Sequence, residues 1–253
     1  ILTFRYRLPL LVTGNLFVII FINGLGGETP YDELIGAAVV AGVLVVLIGV
    51  LGLSKWLASL IPIPIMFGLL AGAVLPFVSG FFTELGNAPV IVGGTLLVYL
   101  ISRHFLEEQV PAILPALITG VLLTAITGQF QQPAEPISMV LPQITIPEFS
   151  FQTILTATPV LVVLITIQAN LPSIRFLHSQ DYQPPEMLVD TATGLGTMFG
   201  SLFGPTGASL SLPATSIAAG PEAGEHDIRH RAVIINSFAA LLLGSFAGIA
   251  AGI

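Results

Sequence analysis

Long apolar runs separated by short polar punctuation organise this chain. Stretches without Lys, Arg, Asp or Glu fall at 8–23, 34–53, within 56–83, 88–101, 110–125, 151–171, 203–220 and 232–253, and 187–202 joins them with Asp190 near its entrance. The runs are continuous rather than alternating, which predicts helices and not the strands of a barrel. A membrane crossing takes roughly 20 apolar residues. Nine spans are therefore expected, of which the first, fourth and eighth are short for straight helices. Pro62, Pro64 and Pro76 shape the ends of the third.

The eighth run is unlike the rest. It is uncharged to Gly220, yet it carries Gly204, Pro205, Thr206, Gly207, Ser209, Ser211, Pro213, Thr215 and Ser216. Hydrocarbon tolerates irregular backbone only where protein or a wet cavity surrounds it. Broken helices with half-helix ends aimed at a substrate are a recurrent transporter device. The pattern predicts an extended start at Gly204-Pro205, then a half-helix capped by Thr206 and running to Ala219. The N–H groups of Gly207 and Ala208 and the hydroxyls of Thr206 and Ser209 would sit at its positive end, where an anion is favoured. The competing reading is a Pro-kinked helix whose hydroxyls bond neighbouring helices. Span one carries Thr13-Gly14-Asn15 at its middle and reads either as a second break or as an ordinary helix with a packing glycine. A short interrupted span followed by a long one occurs at spans one and two and again at eight and nine, in opposite directions, as an inverted repeat would produce. Gln168 and Asn170 close span six. Amides are costly in lipid, so they face substrate or a neighbouring helix.

Charge sharpens this topology. Only 8% of the 253 residues are charged and 54% are hydrophobic, with a mean hydropathy of +0.96; an average soluble protein is about 25% charged. Arg5, Arg7, Lys55, Arg103, Arg175, Arg229 and Arg231 all fall in alternate loops of the nine-span parse, while 24–33 and 128–148 hold no basic residue. The positive-inside rule then puts the N-terminus in the cytoplasm. The net charge of −7 lies mostly in loops, and no basic patch suits nucleic acid. There is no cysteine. His104, His178, His226 and His230 lie in or beside loops without metal-ligand spacing, and Glu107 and Glu108 read as loop charges. Asp190 is expected near the membrane surface, with a proton-relay role as the alternative. No Walker, zinc or nucleophile-elbow motif is present, so no enzyme, cofactor or metal is expected. The chain starts at Ile1 and is apolar to Ile253, which reads as a piece of a longer protein.

Several of these residues also carry a family likeness. Gln168-Ala-Asn-Leu-Pro-Ser-Ile resembles the S-Q-N-L-P-G-[IV] motif of the bacterial benzoate/proton symporter family. Asp181-Tyr-Gln-Pro-Pro resembles its G-Y-x-P-P, and Thr193-Gly194-Leu195 its T-G-L. Phe203-Gly204 and Gly220-Pro221-Glu222-Ala223 match the two ends of its broken helix at equal spacing. Arg5-Tyr6-Arg7 and Pro147-Glu148-Phe149-Ser150 fit as well. The likeness covers most of the chain and is strongest over 147–231. It implies the uracil-transporter and sulfate-permease architecture, with fourteen spans in two inverted repeats of seven. This chain would then be an all-α polytopic piece of about nine spans, two of them broken helices with short extended segments. Residues 1–55 and 149–253 would belong to a core domain, 56–130 to a gate domain and 131–148 to an extracytoplasmic loop. The implied activity is proton-coupled uptake of a small organic anion, such as an aromatic carboxylate, across the bacterial inner membrane. A passive anion conduit, or a carrier of nucleobases or inorganic anions, shares the architecture. Gly14, Asn15, Gln168, Asn170, Thr206, Gly207, Ala208 and Ser209 are the expected substrate-binding positions. The expected partners are the anion, protons and the lipid bilayer, with a homodimer left open. Where the family has G-H-x-x-N, this chain has Pro205-Thr206-Gly207-Ala208-Ser209. Val12-Thr13-Gly14-Asn15 likewise stands where the family tends to S-T-P-G.

Overall fold

A computed structural model describes residues 2–25, 27–54, 56–57, 68, 75, 78–106, 110–129, 142–220 and 223–245. Most of the expected third span lies outside the described residues. So do Lys55, Glu107, Glu108, Pro221 and Glu222, much of the 128–148 loop and the end of the ninth span. Two compact units result, one from 1–73 and 141–242, the other from 74–140 and 243–253.

The first unit is built on the helix Tyr31–Leu51. Pro30 precedes it, Asp32 and Glu33 occupy the first turn, where the helix dipole favours acids, and uncharged residues follow to its end. It stops at Gly52, whose φ of 66° suits glycine, while Leu53 N–H returns to the Ile48 carbonyl at 2.9 Å. Its 21 residues rise roughly 31 Å, enough for a hydrocarbon core of about 30 Å. It packs closely on the helix Glu186–Gly200. A Cβ at Gly42 would lie 2.5 Å from Met198 N, one at Gly49 2.4 Å from Thr191 N, and one at Gly194 2.5 Å from Val46 N. Small residues let backbones touch where lipid offers no hydrophobic drive for helices to associate.

A second long apolar segment, Phe151–Ser179, is not one α-helix. It runs α over Phe151–Val163, π over Leu164–Asn170 and α again over Leu171–Ser179. The wide turn runs directly into Pro172, whose ring crowds the carbonyl four residues back. Thr158 Oγ1 donates to the Ala37 carbonyl at 2.9 Å and ties this segment to Tyr31–Leu51.

Both interrupted stretches break as extended chain. Strand β1 (Val12–Gly14) precedes the helix Leu16–Leu25, and strand β2 (Ala208–Leu210) precedes the helix Leu212–Ala219. The strands pair antiparallel, with Val12 opposite Leu210, Thr13 opposite Ser209 and Gly14 opposite Ala208. The helices, of 10 and 8 residues, rise roughly 15 and 12 Å, half a bilayer each.

One expectation is corrected here. The second half-helix starts at Leu212, not after Thr206. Ser211 stands at its N-cap with Pro213 inside the first turn, a good start for a helix. Residues 208–210 are instead taken up by the ladder. The ladder is extended by Asn15 N–H donating to the Gly207 carbonyl at 2.6 Å and Ser211 N–H to the Leu11 carbonyl at 3.2 Å.

The second unit pairs the helices Pro89–Phe105 and Ile113–Ile126, which correspond to the expected fourth and fifth spans. Gly94 packs under Leu123, and Gly120 admits Thr95. Val90, Leu97, Leu100, Ile118 and Leu122 remain exposed on this pair, as suits lipid-facing helices.

Candidate functional site

Asn15 joins the two breaks. Its backbone N–H holds Gly207, its Oδ1 accepts from Val18 N–H at 3.1 Å and so caps the Leu16–Leu25 helix, and its Nδ2 donates to the Leu164 carbonyl at 3.1 Å. One amide hydrogen is left over. The first turn of one half-helix is thereby fixed against the π segment that carries Gln168.

A cavity of about 340 Å³ opens at this junction. Gly14 and Asn15 line it from the first break, Gln168 from the π segment and Ser209 from β2. Both half-helices begin on it, one with Leu16 and Phe17, the other with Leu212 and Pro213. No described lining residue is charged. Gln168 Oε1 is buried there without a hydrogen-bond partner. A buried acceptor left unmade costs about 1–3 kcal/mol.

The other expected positions fall elsewhere. Thr206 lines a separate cavity of about 440 Å³ with Tyr31, Phe203, Gly204 and Pro205. Gly207 is buried, and a Cβ there would meet Val18 and Ile165 at 3.0 Å. The Ala208 N–H is not a free helix-end amide, because it donates to Thr197 Oγ1 at 2.9 Å. Asn170 is fully buried behind the strands. Its Nδ2 donates to Asp190 Oδ1 and Thr193 Oγ1, both at 2.8 Å, and its Oδ1 accepts Leu210 N–H at 2.9 Å. Both amide hydrogens are spent, so Asn170 braces β2 and offers nothing to a guest in this state.

Asp190 is buried, 1% exposed, and accepts from Ser54 Oγ as well as from Asn170. Thr13, Ser211 and the two helix starts are cavity residues that sequence reasoning passed over. The Ser211-Leu-Pro213 helix-start signal was the available clue to them. His226 has a structural role. His226 stacks on Tyr182 at 4.1 Å, and Tyr182 OH donates to the His226 carbonyl at 2.8 Å. Burial pushes the Tyr182 phenol above its usual range, against the pull of Arg229. Among the described residues no group of His, Asp and Glu is arranged to hold a metal ion.

Half-helices meeting across a short strand pair, inside an apolar helical frame, define a membrane transport protein. No reacting constellation of an enzyme accompanies them among the described residues. The sequence profile described as benzoate membrane transport protein matches residues 1–253, and the chain belongs to that family. It is 30% identical over 249 residues to the benzoate membrane transport protein of Acinetobacter baylyi, covering 98% of this chain and 62% of that protein. It is 29% identical over 254 residues to the inner membrane protein YdcO of Escherichia coli, covering 99% of this chain and 64% of that one. The chain thus spans under two thirds of the length of these curated relatives.

Proposed function

We infer that this chain is the substrate-bearing part of a secondary transporter that takes up a small aromatic carboxylate, benzoate or a close analogue, together with a proton. The observation that carries the reading is the cavity on which two half-helix starts converge. Each helix start is worth about 0.3–1 kcal/mol toward an anion, and up to ~2 kcal/mol when partly buried. Two of them replace the basic side chain that the lining lacks. The carboxylate sits at the starts of Leu16–Leu25 and Leu212–Ala219, near the spare amide hydrogen of Asn15 and the hydroxyls of Thr13, Ser209 and Ser211. Gln168 borders the same guest. The name of the Acinetobacter relative supports benzoate as the guest.

In this reading the complete protein has fourteen spans in a seven-plus-seven inverted repeat. The unit holding both breaks is the core, and the helices Pro89–Phe105 and Ile113–Ile126 belong to the gate. The N-terminus of this chain is cytoplasmic in a bacterial inner membrane, and transport is a rocking of core against gate. The test is uptake of labelled benzoate by the full-length protein in proteoliposomes, corrected for protein-free liposomes because benzoic acid crosses lipid unaided. Saturable uptake, accelerated by acid outside, is expected. Uptake displaced by uracil or sulfate but not by benzoate analogues moves the substrate elsewhere on the same architecture. Currents that follow voltage without proton movement make the protein a passive conduit.

A further inference from the structure

A second cavity, of about 530 Å³, enters the first unit away from the benzoate pocket. Tyr6, Gly52, Ser54, Glu186 and Met187 line it, and it ends on Asp190. Residues 6, 52–54 and 185–188 therefore share one end of the unit. Glu186, at that cavity, lies 4.0 Å from His178 Nε2. Among the described residues Asp190 is the buried acid of this unit, and its two oxygens have different partners. Oδ2 takes the Ser54 hydroxyl, and Oδ1 takes the Asn170 amide at 2.8 Å. Through Asn170 Oδ1, the chain of bonds continues to Leu210 N–H at 2.9 Å, the last residue of β2 and a lining residue of the benzoate pocket.

We propose that Asp190 is the proton-coupling site of this transporter, releasing its proton into the 530 Å³ cavity and read by the substrate pocket through Asn170. The inference rests on the proton-coupled reading above. Ser54 suits the task because a hydroxyl both donates and accepts. It donates to the carboxylate, and after a proton from water joins Oδ2 it turns to accept the new O–H. Charge stays balanced, since the proton neutralises one carboxylate on arrival and returns to water on leaving. The Asn170 side has no such freedom. Its bond to Asp190 is charge-assisted while the acid is ionised, and a charge-assisted bond is about twice as strong as a neutral one. Protonation therefore slackens the hold on Asn170, and with it the brace on Leu210. The groups facing Asp190 are few. Glu186 acts on it from the same helix, Gly49 and Ser54 come from Tyr31–Leu51 and its following turn, Asn170 from the π segment, and Tyr6 from across the cavity. Lys55 follows Ser54 in sequence and lies outside the described residues.

The test compares wild type, Asp190→Asn and Asp190→Glu in the full-length protein, with labelled benzoate in proteoliposomes. Two rates are read, uptake under a pH gradient and exchange of labelled for unlabelled benzoate at equal pH. One pH unit allows a single proton to sustain about tenfold more accumulation. Wild type should gain up to that factor per unit, Asp190→Asn should gain nothing while still exchanging, and Asp190→Glu should keep the gain with a displaced pH profile. Gradient-driven uptake by Asp190→Asn equal to wild type overturns the proposal and leaves the transporter reading standing. Should Asp190→Asn fail to reach the membrane, Asp190→Glu decides, because an unaltered pH profile there also overturns it. Wild type that exchanges benzoate without regard to pH removes the proton-coupled reading, and this inference with it.

Discussion

Two amides two positions apart in sequence have opposite fates, and the difference is a matter of hydrogen-bond supply. Asn170 has every amide hydrogen engaged in the interior. Gln168 has a buried oxygen that no described residue satisfies. Replacing each by Leu should separate a brace from a binding group. Asn170→Leu strands the Leu210 N–H and the Asp190 carboxylate. Interhelical bonds in membranes average about 0.6 kcal/mol but unmade buried groups cost more, so a loss of roughly 2 kcal/mol or more is expected, read as a lower melting temperature in detergent. Gln168→Leu removes an acceptor that has no partner, so stability should hold. The Nε2 of the same amide can donate to a carboxylate, so its loss should raise KM for benzoate about tenfold, the equivalent of one hydrogen bond near 1.4 kcal/mol. A melting temperature that falls as far for Gln168→Leu as for Asn170→Leu would make both amides structural.

At the scale of elements, the contact between Tyr31–Leu51 and Glu186–Gly200 is set by glycines rather than by large apolar side chains. A valine at Gly194 would press its Cβ to 2.5 Å from Val46 N and 2.9 Å from the Gly42 carbonyl. Backbone atoms cannot swing aside, so the helices must part. Overpacking ordinarily costs about 1–3 kcal/mol. Here separation would also shift the helix carrying Asp190 and Thr193 away from Asn170. Gly194→Val is expected to lower both the yield of monodisperse protein and its melting temperature on size exclusion and thermal unfolding. Gly200→Ala, at a helical position with open space around it, should leave both unchanged. The short half-helices follow a related logic. Arg229 Nη1 donates to the Ala219 carbonyl at 2.7 Å and its Nε to the Gly224 carbonyl at 2.9 Å, placing a cation at the negative end of Leu212–Ala219.

At the scale of the whole molecule, the proposed rocking of core against gate predicts that each unit keeps its internal packing while their separation changes. The chain contains no cysteine, so spin labels can be placed at chosen positions within it. A pair on Leu47 and Leu97, exposed helix positions in different units, should change separation by several ångströms on adding benzoate. A pair on Leu47 and Phe199, both in the first unit, should not. Equal change in both pairs would mean that the unit deforms instead of rocking. The apolar runs, their lengths and the placement of glycine and proline are properties of local sequence, because lipid forces each run to satisfy its own backbone. That is why the helical membrane class, the interrupted stretch at 203–220 and the helices of the second unit could be read from the chain, whereas 12–15 left a break and an ordinary helix both open. Tertiary structure decided where each polar side chain spends its bonds. Residues 208–210 became a strand because β1 lay opposite to pair with them, which moved the helix start from Thr206 to Leu212. Asn170 and Asp190 turned inward because Ser54, Thr193 and Leu210 were there to receive them. A partner 20, 40 or 136 positions away leaves no mark on the local pattern. A hydrogen bond is recorded only in the fold that closes it.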